Sequence, residues 1–251
     1  CRYALYVSAE GAPAHAKPME WLANTLANVD TPGFKRQLAV LQARHAEAIA
    51  QGLDAPGSGT INNVGGGVEL DGTLTDFSPG TLSNTNNPAD LAIKGEGFFV
   101  VQTGDSEQRL TRAGNFRLTN EGRLVTQQGY AVLSADSTPI ELSAGVPFDV
   151  SEDGVIRQGA TRIPLALVKP KFLADLVQQG DNLFRSLSET DPVEQGKREV
   201  VSGHLELSGV RPTSEMMEMI EASRAFESNV KLIQHQDEMV GQLLTRVLRQ
   251  A

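Results

Sequence analysis

From Thr213 to Ala251, apolar or small residues return at alternating steps of three and four: Met216, Met219, Ser223, Phe226, Val230, Ile233, Asp237, Val240, Leu244, Val247 and Ala251. A repeat of 3.5 residues held for about five heptads marks a helix whose apolar seam faces another helix, with Ser223 and Asp237 as its weak places. A helix of ~38 residues reaches roughly 57 Å, too long to lie across one small domain. Ordinary amphipathic core helices usually stop by ~20 residues. The stripe therefore reads as an assembly surface. Complete burial of Phe226, Val230, Ile233, Val240 and Leu244 would contribute ~1.5–3 kcal/mol each.

The start of the chain carries a matching seam. Leu5, Ala9, Ala12, Ala16, Met19, Ala23 and Leu26 alternate steps of four and three. Their mostly small side chains would let a partner helix approach closely. Pro13 and Pro18 interrupt this stretch, and each costs ~3 kcal/mol in a helix interior. The helix is thus expected to be kinked, or continuous only after Pro18. It should end at Asn28-Val29-Asp30-Thr31-Pro32-Gly33, where proline biases Thr31 away from helix and Gly33 admits positive φ.

Composition limits the chemistry. Net charge is −9 with no run rich in Lys or Arg, which argues against nucleic-acid binding. Cys1 is the only cysteine, so neither an intrachain disulfide nor a cysteine-type zinc site is available. The histidines His15, His45, His204 and His235 are dispersed and no HExxH spacing occurs. No Gly-x-Ser-x-Gly elbow is present. Met216, Met217 and Met219 read as core packing at helical spacing rather than as a soft metal site. No apolar run approaches a membrane span and no signal-peptide pattern opens the chain, so export is expected without a cleaved signal and without membrane insertion. Catalytic, cofactor-binding and metal residues are all read as none.

Between the two helices the texture changes twice. Leu38, Val40, Leu41, Ala48 and Ile49 among polar residues suggest a short helix to Gln51. Gly52 to Gly67 then reads as a Gly/Asn-rich variable linker, and no lysine follows Gly65-Gly66-Gly67 to make a phosphate loop. From Val68 to Val210, short alternating runs separated by turn residues predict an all-β domain of sandwich or open-barrel kind. Phe116-Arg117-Leu118 and Arg123-Leu124-Val125 flank Asn120-Glu121-Gly122 as a hairpin. Thr213 is the expected N-cap of the last helix, with Glu215 and Glu218 favourable in its first turns. The fold class is α+β, with long N- and C-terminal helices pairing as a coiled coil around a central β domain. The parts are 1–34, 35–67, 68–210 and 211–251.

The string Ala23-Asn24-Thr25-Leu26-Ala27-Asn28-Val29-Asp30-Thr31-Pro32-Gly33-Phe34-Lys35-Arg36 resembles the signature of the flagellar basal-body rod and hook family. Asp76–Gly80 with Asp90–Phe99 resembles that family's core strand pair. Leu110–Phe116 with Gly122–Tyr130 resembles its next block, and Glu215–Ile220 with Arg224–Glu227 its C-terminal signature. The resemblance implies an axial structural subunit of the basal body, in the rod that crosses the periplasm, and no enzyme. The implied assembly surface comprises Leu5, Met19, Leu26, Met216, Met219, Phe226, Val230, Ile233, Val240, Leu244 and Val247. The turn Asn28, Thr31, Pro32, Gly33 and Phe34 carries the family motif. Implied partners are proximal and distal rod subunits in a helical assembly and the surrounding rings, with no cofactor. Length, the opening Tyr3–Ala12 and Ser208–Pro212 look more like a proximal than a distal subunit. The residues alone leave two other classes open, a peptidoglycan-acting enzyme and a β-sandwich binding module with an oligomerising helix.

Overall fold

The computed structural model describes residues 17–43, 49, 52, 68–104, 107–143 and 145–250. The chain divides into two compact units, one drawn from residues 1–27, 37–74 and 211–251 and the other from 28–36 and 75–210.

In the first unit, residues 17–27 are helical, uninterrupted from Pro18 onward. The effect of Pro13 and the position of Leu5 lie outside the described residues. The helix expected from Leu38 is not formed over Gln37–Ala43, which is a β-strand paired with Val68–Thr75. Local pattern could not decide this, because Leu38, Val40 and Leu41 suit either element and the deciding partner lies far along the chain. Gly52–Gly67 lies outside the described residues apart from Gly52.

The last helix runs Pro212–Gln250, 39 residues. It begins at Pro212, so Thr213 is not its cap. Proline suits the first helical position because its missing N–H is one that a helix leaves unpaired anyway. Glu215 N donates to Arg211 O at 3.1 Å, beginning the helical ladder. No described helix is long and apolar enough to cross a membrane.

The second unit is built around Phe98–Gln102. Its run Phe98-Phe99-Val100-Val101 is buried on both faces of the sheet. Successive side chains point oppositely, so one strand feeds two cores. Phe99 and Val101 join Leu91, Phe116, Leu124, Ile156 and Leu165 on one side. Phe98 and Val100 join Leu110, Leu133, Leu176 and Phe184 on the other. Phe99 meets Phe116 edge to face at 5.1 Å between ring centroids. Antiparallel neighbours of this strand are Gln108–Thr111, Ala131–Val132 and Leu167–Pro170.

Around it lies a nine-stranded sheet whose main path runs from the edge strand Leu176–Gln178 to the edge strand Arg117–Leu118. A three-stranded sheet, Asp149–Val150, Val155–Gln158 and Thr161–Pro164, contributes Val150 and Ile156 to the first core. The expected hairpin is present, with Arg117 opposite Val125 and Leu118 opposite Leu124. The described strands form mostly open sheet, and no barrel closes.

Leu91–Ile93 and Phe98–Gln102, neighbours in sequence, do not pair with each other. Leu91–Ile93 pairs with Val200–Ser202. Between them Gly95 and Gly97 sit at φ 109° and 130°, so the chain swings away instead of folding back. We expect Phe99→Ala to lower the unfolding free energy by ~3–5 kcal/mol, measured by chemical denaturation.

Candidate functional site: the motif junction and the helix seam

Leaving the first helix, the chain makes its turn by local bonds. Thr31 N donates to Asn28 O at 3.1 Å, and the Thr31 hydroxyl to Asn28 Oδ1 at the same distance. Phe34 N reaches Thr31 O at 3.3 Å. Gly33 stands at φ 67°, and a Cβ there would come within 2.5 Å of the Arg112 carbonyl carbon and Ala113 N. Only glycine meets both demands, since other residues avoid this region and none would fit the space. The turn is tied to distant segments as well. Gly33 N donates to Glu206 O at 2.7 Å, and Gly209 N to Phe34 O at 3.3 Å. Asn182 Nδ2 donates to Pro32 O at 3.2 Å. Thus Asn28, Thr31, Pro32, Gly33 and Phe34 act as one structure, with Phe34 buried at 5% exposure.

Beneath the turn lies a charged cluster. Lys35 Nζ donates to Glu206 Oε1 at 2.7 Å and to Ser78 O at 2.7 Å. Gly80 N donates to the same carboxylate oxygen at 2.8 Å. Arg112 Nη1 lies 3.4 Å from Glu206 Oε2, while its guanidinium also donates to Ile93 O at 3.2 Å and Gly95 O at 2.6 Å. The guanidinium carbon sits 5.3 Å from the centre of the Phe98 ring. Lys35, Glu206 and Arg112 are 1%, 2% and 6% exposed. Burial pushes the Lys35 ammonium below its ordinary value, and its hydrogen bond to Glu206 opposes that shift. Burial likewise pulls Arg112 down, against the charge of Glu206. One carboxylate thus holds two cations, and the residual positive charge is met by backbone carbonyls. At the margin of this junction Asp76 accepts from the Ser78 hydroxyl at 2.6 Å and Ser78 N at 3.0 Å. Those bonds, the hydroxyl's first, hold its carboxyl below its ordinary value.

The helix seam is only partly covered. Met219, Ser223, Phe226, Val230 and Ile233 are half-buried along one stripe, and Met19 and Leu26 are half-buried on the 17–27 helix. Met216 and Val240 are exposed at 48% and 38%, and Asp237 is exposed. Met217 is exposed at 61%, so core packing does not account for Met216 or Met217. Leu244 and Val247 continue the helix, but their side chains lie outside the described residues.

Sequence reasoning placed Lys35 and Arg112 inside family-like strings without assigning them a role, and it passed over Glu206 and Asn182. The available signal was a charged residue in an otherwise apolar or turn-forming stretch, as at Lys35, Arg112 and Glu206. Pairing them required the fold, because Lys35 and Glu206 are 171 residues apart.

A β body closed by a buried ion cluster and continued by a long, partly covered helix defines a structural subunit that holds chain segments together. Residues 92–158 match the family described as "Flagellar hook protein FlgE/F/G D1 domain". Residues 201–246 match "Flagellar basal body rod FlgEFG protein C-terminal". The chain is 34% identical over 247 residues to the flagellar basal-body rod protein FlgF of Caulobacter vibrioides, covering 97% of each. It is 33% identical to FlgG of Bacillus subtilis, covering 96% of this chain and 97% of that protein. It is 31% identical to FlgF of Escherichia coli over 95% and 96%. The chain belongs to the flagellar basal-body rod protein family, whose members are structural rather than enzymatic subunits.

Removing the shared carboxylate should be severe. Glu206→Gln leaves two buried cations without a counter-ion, and we expect a loss of ~3–5 kcal/mol in denaturant unfolding. Lys35→Gln, which leaves the Arg112–Glu206 contact intact, should cost less. Asp76 supplies a separate acid dependence. Because its folded pKa is depressed, its stabilisation is present above the ordinary value of 3.8 and is lost as the pH falls through the folded value. Thermal unfolding followed from about pH 6 to about pH 2 should show a steeper acid fall in the native protein than in Asp76→Asn.

Proposed function

We propose that this chain is a proximal-type subunit of the flagellar basal-body rod. In this reading its terminal helices pair as a coiled coil and stack with other subunits into the hollow shaft that transmits torque across the periplasm. The observation that carries it is the Pro212–Gln250 helix, which has a half-buried stripe from Met219 to Ile233 while Met216 and Val240 stay exposed. A seam covered at its centre and open beyond leaves apolar area for neighbouring subunits. Contacts that do not close into a ring build helical filaments. The expected partners are other proximal and distal rod subunits, with the surrounding rings outside them. No catalytic step, cofactor or metal enters this function.

The proximal reading is supported by Ser208-Gly209-Val210-Arg211-Pro212, where distal subunits of the family usually carry an Asn-Val-Asp run. Identities of 34% to a FlgF and 33% to a FlgG do not separate the two. Complementation separates them. Expression in a strain lacking its proximal subunit should restore rods, whereas a strain lacking its distal subunit should stay without them. Rescue of the second strain alone would reverse the assignment.

The seam has its own test. Phe226→Glu combined with Val230→Glu should abolish rods in electron micrographs of basal bodies. The unfolding midpoint of the β body should stay within about 2 °C of the native value, since surface changes away from a core usually have small effects. Circular dichroism of the free and assembled subunit reads whether the helices order on assembly. Equal helix content in both states would refute that coupling.

A further inference from the structure

We propose that the outer face of the hairpin Leu176–Gln178/Leu183–Ser186, with the turn before it, is where the β body meets a second copy of this chain. The inference rests on the rod-subunit reading and adds which surface of the body is buried between copies. Phe172 and Leu187 are each 67% exposed, Leu173 49% and Val177 45%. The fold gathers them. A 3-10 turn, Leu173–Asp175, leads into the strand, and Leu187 N donates to Asp175 O at 3.0 Å. Val177 stands opposite Arg185 in register. Leu176 and Phe184 point into the core, so Val177, Arg185 and Leu187 alternate outward. Polar residues are expected on such an outer face. One exposed leucine needs no explanation, but a cluster of large apolar side chains marks an interaction surface. The cluster also sits at the edge of the nine-stranded sheet, where proteins ordinarily place charges or proline to prevent association.

Charge chooses the occupant. With a net charge of −9, two copies repel at a distance. A contact between them is favoured where apolar area is buried and a local cation meets an acid. The side chain of Arg185, exposed between Val177 and Leu187, makes no hydrogen bond or ion pair among the described residues. The carboxylate it acts on, Glu107, is already bonded to Arg109. Lys171, beside Phe172, is paired with Glu189 at 3.1 Å. Among the described residues the free cation of the patch is therefore Arg185, and an acid-bearing surface of the next copy satisfies it. A self-facing contact would oppose two Arg185 guanidiniums and close a dimer. A contact with a different face avoids that repulsion and propagates.

Two measurements test this. In the source bacterium, the full chain carries photoreactive p-benzoylphenylalanine in place of Phe172, and basal bodies are isolated after irradiation. The expected product is a cross-link to an acid-bearing segment of a second copy, lost when Leu187→Glu is added. A link to the same hairpin of a second copy, a link to a different protein, or no link while the chain is present in basal bodies each overturns the proposal. Absence of the native chain from basal bodies overturns the rod reading instead, and this inference with it. In solution, Phe172→Ser with Leu187→Ser should leave the unfolding midpoint unchanged and weaken self-association at least ~10-fold by sedimentation velocity. Equal self-association of variant and native chain overturns the proposal.

Discussion

Glu206 is the point on which the β body depends. Its carboxylate accepts from Lys35, contacts Arg112, and accepts from Gly80 N, while its backbone oxygen accepts from Gly33 N. One residue thereby joins the segment arriving from the first helix, the turn at Ser78–Gly80, the loop before Gly114 and the strand returning toward the last helix. Taking three charges out of water is costly, and their mutual attraction offsets that cost only in good geometry. The geometry here is held by other bonds as well. Even so Arg112 Nε stays buried without a partner, a residual cost of about 1–3 kcal/mol. An apolar core could supply the same stability with less constraint. The ion cluster instead specifies which segments meet, since a lysine placed anywhere else would be left buried without its acid.

The two cores explain how a small-stranded body sustains that junction. Phe98 packs edge to face with Phe77 and Phe184, at 5.7 and 6.0 Å between ring centroids, and presents its face to Arg112. Phe99, the next residue, packs against Phe116 on the opposite side. A single strand therefore couples the ion cluster to the main core. Disturbance at Glu206 reaches the second core through Arg112 and Phe98 directly. This matters for a structural subunit, whose work is to keep its segments in fixed positions.

Much was legible in the residues, and the failures have specific causes. The long helix was predicted to within two residues of its start because its 3.5-residue period is a local property. The Arg117–Leu118/Leu124–Val125 hairpin was legible because Asn120-Glu121-Gly122 forms the turn by itself. Gln37–Ala43 was misread because a short apolar stretch adopts strand or helix according to what lies beside it. The partner of Leu91–Ile93 was not legible, for adjacency in sequence does not choose a partner when Gly95 and Gly97 redirect the chain, and Val200–Ser202 takes that place instead. Met216 and Met217 were misread as core, since hydrophobicity alone does not say which face of a helix is covered.

By itself the sequence determined the long C-terminal helix, the turn at Thr31-Pro32-Gly33, the β-rich middle and membership of the rod family. These follow from periodicity, proline and glycine stereochemistry, and strings of residues read in order, all of which act over a few positions. Only tertiary structure decided that Lys35, Arg112 and Glu206 share one buried site, that Asn182 fastens Pro32, and that Phe172 and Leu187 stand exposed at a sheet edge. Those are pairings between segments tens to hundreds of residues apart. Burial, which turns an ordinary surface charge into one that needs a partner, exists only once the chain has folded.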